Sequence, residues 1–143
     1  MNENNPLKAY REIQIKTATP ARLIIMLYDG AVKSLNIAIE ILEKKEHKLD
    51  IVSNNVIKAQ DIISELMVSL DFEKGGEIAK DLFNIYMYMN RELLSGNIKK
   101  EIEPLKNVRK FLMDLREAWN EIADKTYSEV KTAGHGGSVN IAG

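Results

Sequence analysis

The sequence predicts an all-α fold, an antiparallel up-down-up-down four-helix bundle, and three observations support this prediction. Four segments repeat large apolar residues at steps of three and four, which is the period of an amphipathic α-helix. Short links separate the segments, and short links place consecutive helices antiparallel. The length of 143 residues fits one domain. We expect the bundle over residues 19–126, an N-terminal cap segment over 1–18 and a flexible tail over 127–143.

The first helix is predicted from about Pro20 to about Glu46. Thr19 can accept a hydrogen bond from a first-turn amide, and proline suits the first helical position because an N–H there has no intrahelical partner. The predicted inward row is Ile24, Leu27, Ala31, Leu35, Ala38 and Leu42.

The second helix is predicted over about residues 50–71, and the third follows the pair Gly75–Gly76 and ends near Ser95. Paired glycines favour a turn, and Gly96–Asn97 is typical of a helix C-terminus. The inward row of the second helix is Val52, Val56, Ala59, Ile63, Leu66 and Leu70. The inward row of the third helix is Ala79, Leu82, Tyr86, Met89 and Leu93.

The fourth helix is predicted to begin between Ile102 and Pro104, because a proline is tolerated only in the first turn. Its inward row is Leu105, Val108, Leu112, Leu115, Trp119 and Ile122. After residue 126 the chain has four glycines and few large apolar residues, which predicts the flexible tail.

The composition excludes several classes of function. The chain has no cysteine, which excludes disulfides and thiolate metal sites. It has 20 basic and 21 acidic residues, a balance that argues against nucleic-acid binding. The longest apolar run, Leu23–Tyr28, is far shorter than the roughly 20 residues of a membrane-spanning helix. We expect a cytoplasmic protein with no nucleic-acid partner and no membrane insertion.

The sequence also contains no arrangement of residues that is typical of catalysis or metal binding. Neither His47 nor His135 lies three residues after a glutamate, as a di-iron bundle requires. His47 is expected in a solvated loop and His135 in the glycine-rich tail, and no serine has a histidine placed to activate it. We therefore expect no enzyme activity, no metal and no cofactor.

The first and third helices have more apolar residues than one inward face needs. Ile25, Val32 and Ile39 form a second row on the first helix, and Ile78 and Ile85 flank the core of the third helix. On its other flank lie Phe83 and Leu94. Two interpretations remain open. Either these helices are the most deeply buried, or part of the surplus forms a groove for a partner.

The N-terminal segment has apolar residues at every third position, namely Leu7, Tyr10 and Ile13. This spacing is enough for one or two helical turns with an apolar edge. We hypothesise that the segment lies over the bundle and shields apolar surface when no partner is present.

Four motifs occur together in this chain: TxxPxxLxxMLYDG, KAQxIIxEL, the turn from Leu-Asp to GGEIA, and a final REAW. In this combination, over roughly residues 5–124, the sequence resembles the flagellin export chaperones, the FliS family. The resemblance implies a four-helix bundle that binds the disordered C-terminal segment of flagellin in the bacterial cytoplasm. It also implies that binding prevents premature polymerisation and presents flagellin to the type III export gate.

The candidate partner-binding residues combine the signature positions with the surplus apolar residues. They are Leu7, Tyr10, Ile13, Thr17, Pro20, Leu23, Ile25, Leu27, Tyr28, Val32, Ile78 and Ile85. The expected partners are the flagellin C-terminal segment and a component of the flagellar export gate, with the free protein a monomer or a weak homodimer. The alternative is a self-associating structural helical bundle with no role in export.

Overall fold

The computed structural model describes the backbone of residues 20–135 and the side chains of residues 20–124. This part of the chain consists of four helices, which confirms the predicted all-α fold class. The helices are α1 (Pro20–Glu43), α2 (Leu49–Val68), α3 (Phe72–Lys99) and α4 (Ile102–His135). The predicted cap segment, Thr19 and residues 136–143 of the predicted tail lie outside the described residues.

Helices α1 and α4 run antiparallel within the larger of two compact units, Met26–Arg116. Lys106 Nζ lies 3.0 Å from Glu43 Oε2, at the end of α1 and the start of α4. Arg116, further along α4, donates to the Asp29 carboxylate near the start of α1. A later residue of α1 thus pairs with an earlier residue of α4, and the two helices run in opposite directions, as the bundle prediction requires.

The smaller unit has a polar contact of its own. Its described part consists of residues 20–25 and 117–135. The Arg22 guanidinium donates to Asn120 Oδ1 at 3.0 Å and to Asp124 Oδ1 at 2.6 Å. Because these side chains are exposed, the ion pair contributes on the order of 1 kcal/mol or less.

Helices α2 and α3 are also antiparallel. Ser53 Oγ donates to Asn97 Oδ1 at 3.2 Å, and Asn90 Nδ2 donates to Ser64 Oγ at 3.3 Å. Three residues join the two helices, a length that is common in antiparallel helical hairpins.

The predicted inward rows of α2 and α3 form much of the core. The buried members of these rows are Val52, Val56, Ala59, Ile63, Leu66, Ala79, Tyr86, Met89 and Leu93. On α4 the prediction holds for Leu105, Val108 and Leu112, but Ile122 is 51% exposed, and the prediction that it faces inward is wrong. Ala123 is buried instead, one position further along the helix.

The buried face of α1 is wider than the predicted row. Ala31, Leu35 and Ala38 are buried as predicted, whereas Ile24, Leu27 and Leu42 are half-buried. Ile25 and Ile39, which belong to the second apolar row, are 3% and 1% exposed. For these two residues the correct interpretation is deep burial, because apolar side chains of α1 point inward over a broad arc.

The ends of α3 and α4 differ from the sequence prediction. Helix α3 contains a kink at Gly76 and continues through Gly96 to Lys99, so the predicted stop at Gly96–Asn97 is wrong. Lys100 then adopts a left-handed conformation, and the Glu101 N–H donates to the Gly96 carbonyl at 3.0 Å. Helix α4 extends to His135, beyond the predicted end near residue 126.

Candidate functional site

Among the described residues, an exposed apolar surface lies along the line where α2 and α3 meet, and we call it the α2–α3 groove. Its apolar residues are Ile57, Met67, Val68, Leu70, Phe72, Phe83, Met87, Leu94 and Ile98. Those on α3 follow one another at helical steps along a single flank of that helix. The exposed fractions of Val68, Leu94 and Ile98 are 86%, 54% and 73%. Large apolar side chains that remain exposed together usually mark an interaction site.

Polar side chains, uncharged except for Lys100, form the seam beneath these apolar edges. The Gln60 side-chain amide donates to the Asn90 carbonyl at 3.3 Å, and Asn90 in turn donates to Ser64. Near the other end of the seam, Lys100 Nζ donates to Ser53 Oγ and Asn97 Oδ1, both at 2.8 Å. Because the seam groups largely bond one another, a partner would gain affinity mainly from the apolar edges.

The groove deepens where α2 ends and α3 begins. An open depression of about 410 Å³ there is lined by Ser64, Met67, Val68, Leu70, Phe72 and Phe83. The rings of Phe72 and Phe83 stand edge to face, with centroids 6.0 Å apart. A second depression of about 510 Å³ is lined by Leu27, Ser64, Glu65, Val68 and Ser69. The two depressions share Ser64 and Val68, so the apolar surface continues from α3 across α2 to α1.

The candidate residues on α1 occupy different environments. Leu27 lines the second depression and is the one candidate on α1 that contributes to these depressions. Ile25 is 3% exposed and Tyr28 is completely buried, so neither side chain lies on the surface. Val32 is half-buried. In the smaller unit, Pro20 is exposed and Leu23 is half-buried.

The remaining candidates are divided between α3 and the N-terminal segment. Ile78 is 70% exposed and Ile85 is half-buried, on the flank of α3 opposite the α2–α3 groove. Leu7, Tyr10, Ile13 and Thr17 lie outside the described residues.

Sequence reasoning did not select several groove residues that are strongly exposed. Val68, Phe72 and Ile98 belong to no predicted inward row. Their signal in the sequence is an apolar residue that lies outside the inward row of its helix, such as Ile98 four residues after Leu94. Single apolar residues of this kind are common on protein surfaces, so they become informative only when the fold brings them together.

A smaller depression of about 260 Å³ lies between α3 and α4. It is lined by Tyr88, Asn107, Lys110, Phe111 and Asp114. The rings of Tyr88 and Phe111 pack edge to face at 5.9 Å, and Lys110 Nζ lies 3.3 Å from Asp114 Oδ2. Partial desolvation and the charge of Glu92 raise the pKa of Tyr88 above its ordinary value.

The two histidines and the acidic residues give no metal centre within the described part of the chain. There, no group of three or more His, Asp or Glu side chains is placed to hold a metal ion. His47 is exposed in the link between α1 and α2, as predicted, and the backbone of His135 forms the last residue of α4. No helix among residues 20–135 has the length and apolar character needed to cross a membrane.

The fold and the α2–α3 groove together define an all-α helical-bundle protein with an exposed apolar groove between two of its helices. The sequence matches the family described as flagellar protein FliS over residues 3–126, and the chain belongs to this family. It is 35% identical over 117 residues to the flagellar secretion chaperone FliS of Bacillus subtilis, covering 82% of this chain and 85% of that protein.

The flagellar secretion chaperone FliS of Salmonella typhimurium is 37% identical over 126 residues, which cover 83% of this chain and 90% of that protein. The flagellar secretion chaperone FliS of Vibrio cholerae is 28% identical over 120 residues, which cover 81% of this chain and 87% of that protein. These matches confirm the family resemblance drawn from the sequence motifs.

Proposed function

We propose that this protein is a cytoplasmic export chaperone that binds the disordered C-terminal segment of flagellin. Binding prevents premature polymerisation, and the chaperone hands flagellin to the flagellar type III export apparatus by way of an export-gate component. The relatives in Bacillus subtilis and Salmonella typhimurium are both named flagellar secretion chaperones. The observation that carries the proposal is the exposed α2–α3 groove in a member of this family.

The groove has the form that an amphipathic helix requires. Apolar side chains at helical steps on α3, such as Met87, Leu94 and Ile98, can pack against the apolar stripe of a ligand helix. On the opposite edge, Ile57 and Val68 of α2 complete the contact. Each large apolar side chain that becomes buried contributes about 1.5–3 kcal/mol before the ordering cost is subtracted.

A disordered segment that folds on contact is a suitable ligand for such a surface. Coupled folding of this kind typically buries about 1,000–3,000 Å² and gives up about 2–5 kcal/mol to ordering. The ordering cost keeps the complex releasable, which a carrier requires. A segment long enough to continue around α3 would also meet Ile78 and Ile85 on its other flank, as the candidate residues suggest.

The N-terminal segment is proposed to compete with flagellin for apolar surface. Leu7, Tyr10 and Ile13 supply an apolar edge of one or two helical turns. Deletion of residues 1–18 should then tighten flagellin binding, measured by calorimetry against the full chain. Unchanged or weaker binding after the deletion would contradict competition.

Calorimetry and circular dichroism on a mixture with the flagellin C-terminal segment test the proposed function. We expect one-to-one binding with a gain of helical signal, and a pull-down that retains full-length flagellin but not flagellin lacking this segment. The absence of both heat and helix gain would contradict the proposal. Light scattering on the isolated protein tests the alternative, because a self-associating structural bundle would be a stable oligomer when dilute, whereas the chaperone would be a monomer or a weak homodimer.

A further inference from the structure

The first turn of α3 is separated from the rest of the helix by one residue. Gly76 has φ 50° and ψ −124°, inside what is otherwise a continuous helix from Phe72 to Lys99. A residue with a side chain rarely adopts this combination, so the position depends on glycine. A Cβ at Gly76 would meet nothing within 4 Å, which means that the backbone conformation and not crowding sets this requirement.

The turn before Gly76 closes its hydrogen bonds within itself. Asp71 Oδ1 accepts from the Glu73 and Lys74 N–H groups at 3.1 Å, and the Gly75 N–H donates to the Asp71 carbonyl at 2.8 Å. The Asp71 cap satisfies these first-turn N–H groups without any partner beyond Gly76. A rotation about Gly76 that carries Asp71 with the turn would leave these three bonds intact.

One side chain of this turn forms a wall of the α2–α3 groove. Phe72 lines the 410 Å³ depression and meets Phe83 edge to face, yet it remains 49% exposed. Its neighbours Glu73 and Lys74 are exposed as well. The Phe72 ring joins the turn to the groove wall, Gly75 lies close to Ala79, and little surface of the half-exposed ring would be lost if it moved.

We propose that Phe72–Gly75 is a hinged flap on the α2–α3 groove. Gly76 is its hinge, and Phe72 swings to admit one large apolar side chain of the bound polypeptide into the depression beside Phe83. The subsite is apolar because Met67, Val68, Leu70 and the Phe83 ring form its walls. The identity of the entering chain rests on the proposed function, whereas the hinge itself does not.

Pairs of spin labels measure the flap directly, because the chain contains no cysteine and labels can be placed freely. Lys58→Cys combined with Glu73→Cys reports the distance from α2 to the flap. Lys58→Cys combined with Asn84→Cys reports the distance from α2 to α3 beyond the hinge and is the matched control. All three positions are exposed. Distance distributions are recorded for the free protein and with the flagellin C-terminal segment, and calorimetry on the same samples scores binding.

In the free protein we expect a broader distribution for the flap pair than for the control pair, and equal widths would overturn the hinge. With the segment bound, we expect the flap distance to shift and narrow while the control distance stays unchanged. An unchanged flap distance in a sample that binds the segment would make Phe72 a fixed wall and overturn the gated subsite. If calorimetry finds no binding, the proposed function and the gated subsite are both contradicted. The distance distributions of the free protein still show whether Gly76 acts as a hinge.

Discussion

The hydroxyl oxygens of Tyr28 on α1 and Tyr86 on α3 lie 2.5 Å apart in the core of the larger unit. Both side chains are at most 1% exposed. Burying a hydroxyl is costly unless it is hydrogen-bonded, and here each hydroxyl supplies a partner for the other. The pair therefore favours one longitudinal register of α1 against α3, since a slide of either helix would separate the two oxygens.

Removal of either hydroxyl should destabilise the protein. We expect Tyr28→Phe and Tyr86→Phe each to lower the free energy of unfolding by about 1 kcal/mol, because a buried hydrogen bond is lost. The double variant should lose less than the sum of the two, with a coupling of about 0.5 kcal/mol or more. Urea denaturation of the wild type, the two single variants and the double variant completes this double-mutant cycle. Strict additivity of the three losses in stability would show that the two hydroxyls do not interact.

Stability at alkaline pH should depend on Tyr86. Burial raises the pKa of this phenol above its ordinary value of 10.0, and the hydrogen bond from Tyr28 opposes the shift. The folded state then holds the proton more tightly than the unfolded state, so stability is constant below about pH 10 and falls as the pH rises further. Urea denaturation from pH 8 to 11 should show a shallower fall for Tyr86→Phe than for the wild type. Parallel curves would contradict this assignment.

Gly96 should not tolerate alanine although it lies within a helix. A Cβ at this position would come within 2.8 Å of Leu105 Cδ1 and 3.0 Å of Pro104 Cβ. We expect Gly96→Ala to lower the free energy of unfolding by about 1–3 kcal/mol through overpacking, against a gain of about 1 kcal/mol in helix propensity. Ser95→Ala on the preceding residue is the control for urea denaturation. A more stable Gly96→Ala protein would show that α4 can move away from α3.

The sequence was sufficient for the helices and for most of the core because helical periodicity and burial arise from the same pattern. Gly96 shows where this reasoning fails. Glycine is a common helix terminator, but here it permits the close approach of Pro104 and Leu105, a contact between helices that no local pattern records. The true end of α3 is at Lys99, and the next residue, Lys100, takes the left-handed position usually given to glycine.

The site was less predictable than the fold. The surplus of apolar residues on α1 was visible in the sequence, yet Ile25 and Ile39 are buried. The exposed surface is formed mainly by α2 and α3, where Val68 and Ile98 each look like an isolated exception within their own helix. Their proximity to other apolar residues is a property of the packed structure, because it depends on how two antiparallel helices align.

Substitutions of two isoleucines on opposite flanks of α3 can distinguish the contribution of the α2–α3 groove to binding from that of the opposite flank. Ile98 in the α2–α3 groove is 73% exposed, and Ile78 on the other flank is 70% exposed, so the two are matched in residue type and exposure. We expect Ile98→Asp to weaken binding of the flagellin C-terminal segment by about 10- to 100-fold, equivalent to roughly 1.5–3 kcal/mol. Ile78→Asp should have a smaller effect, because only a segment that continues around α3 would reach it.

Met113→Asp serves as the control for these two variants. Met113 is 51% exposed on α4 and lines none of the three depressions described above. Replacing these exposed side chains should leave the urea midpoint nearly unchanged, since surface substitutions usually alter stability by about 0.5 kcal/mol or less. Calorimetry with the flagellin segment then ranks the three variants. A larger loss for Ile78→Asp than for Ile98→Asp would place the main contact on the opposite flank of α3, and an equal loss for Met113→Asp would mean that added charge, and not the groove, weakens binding.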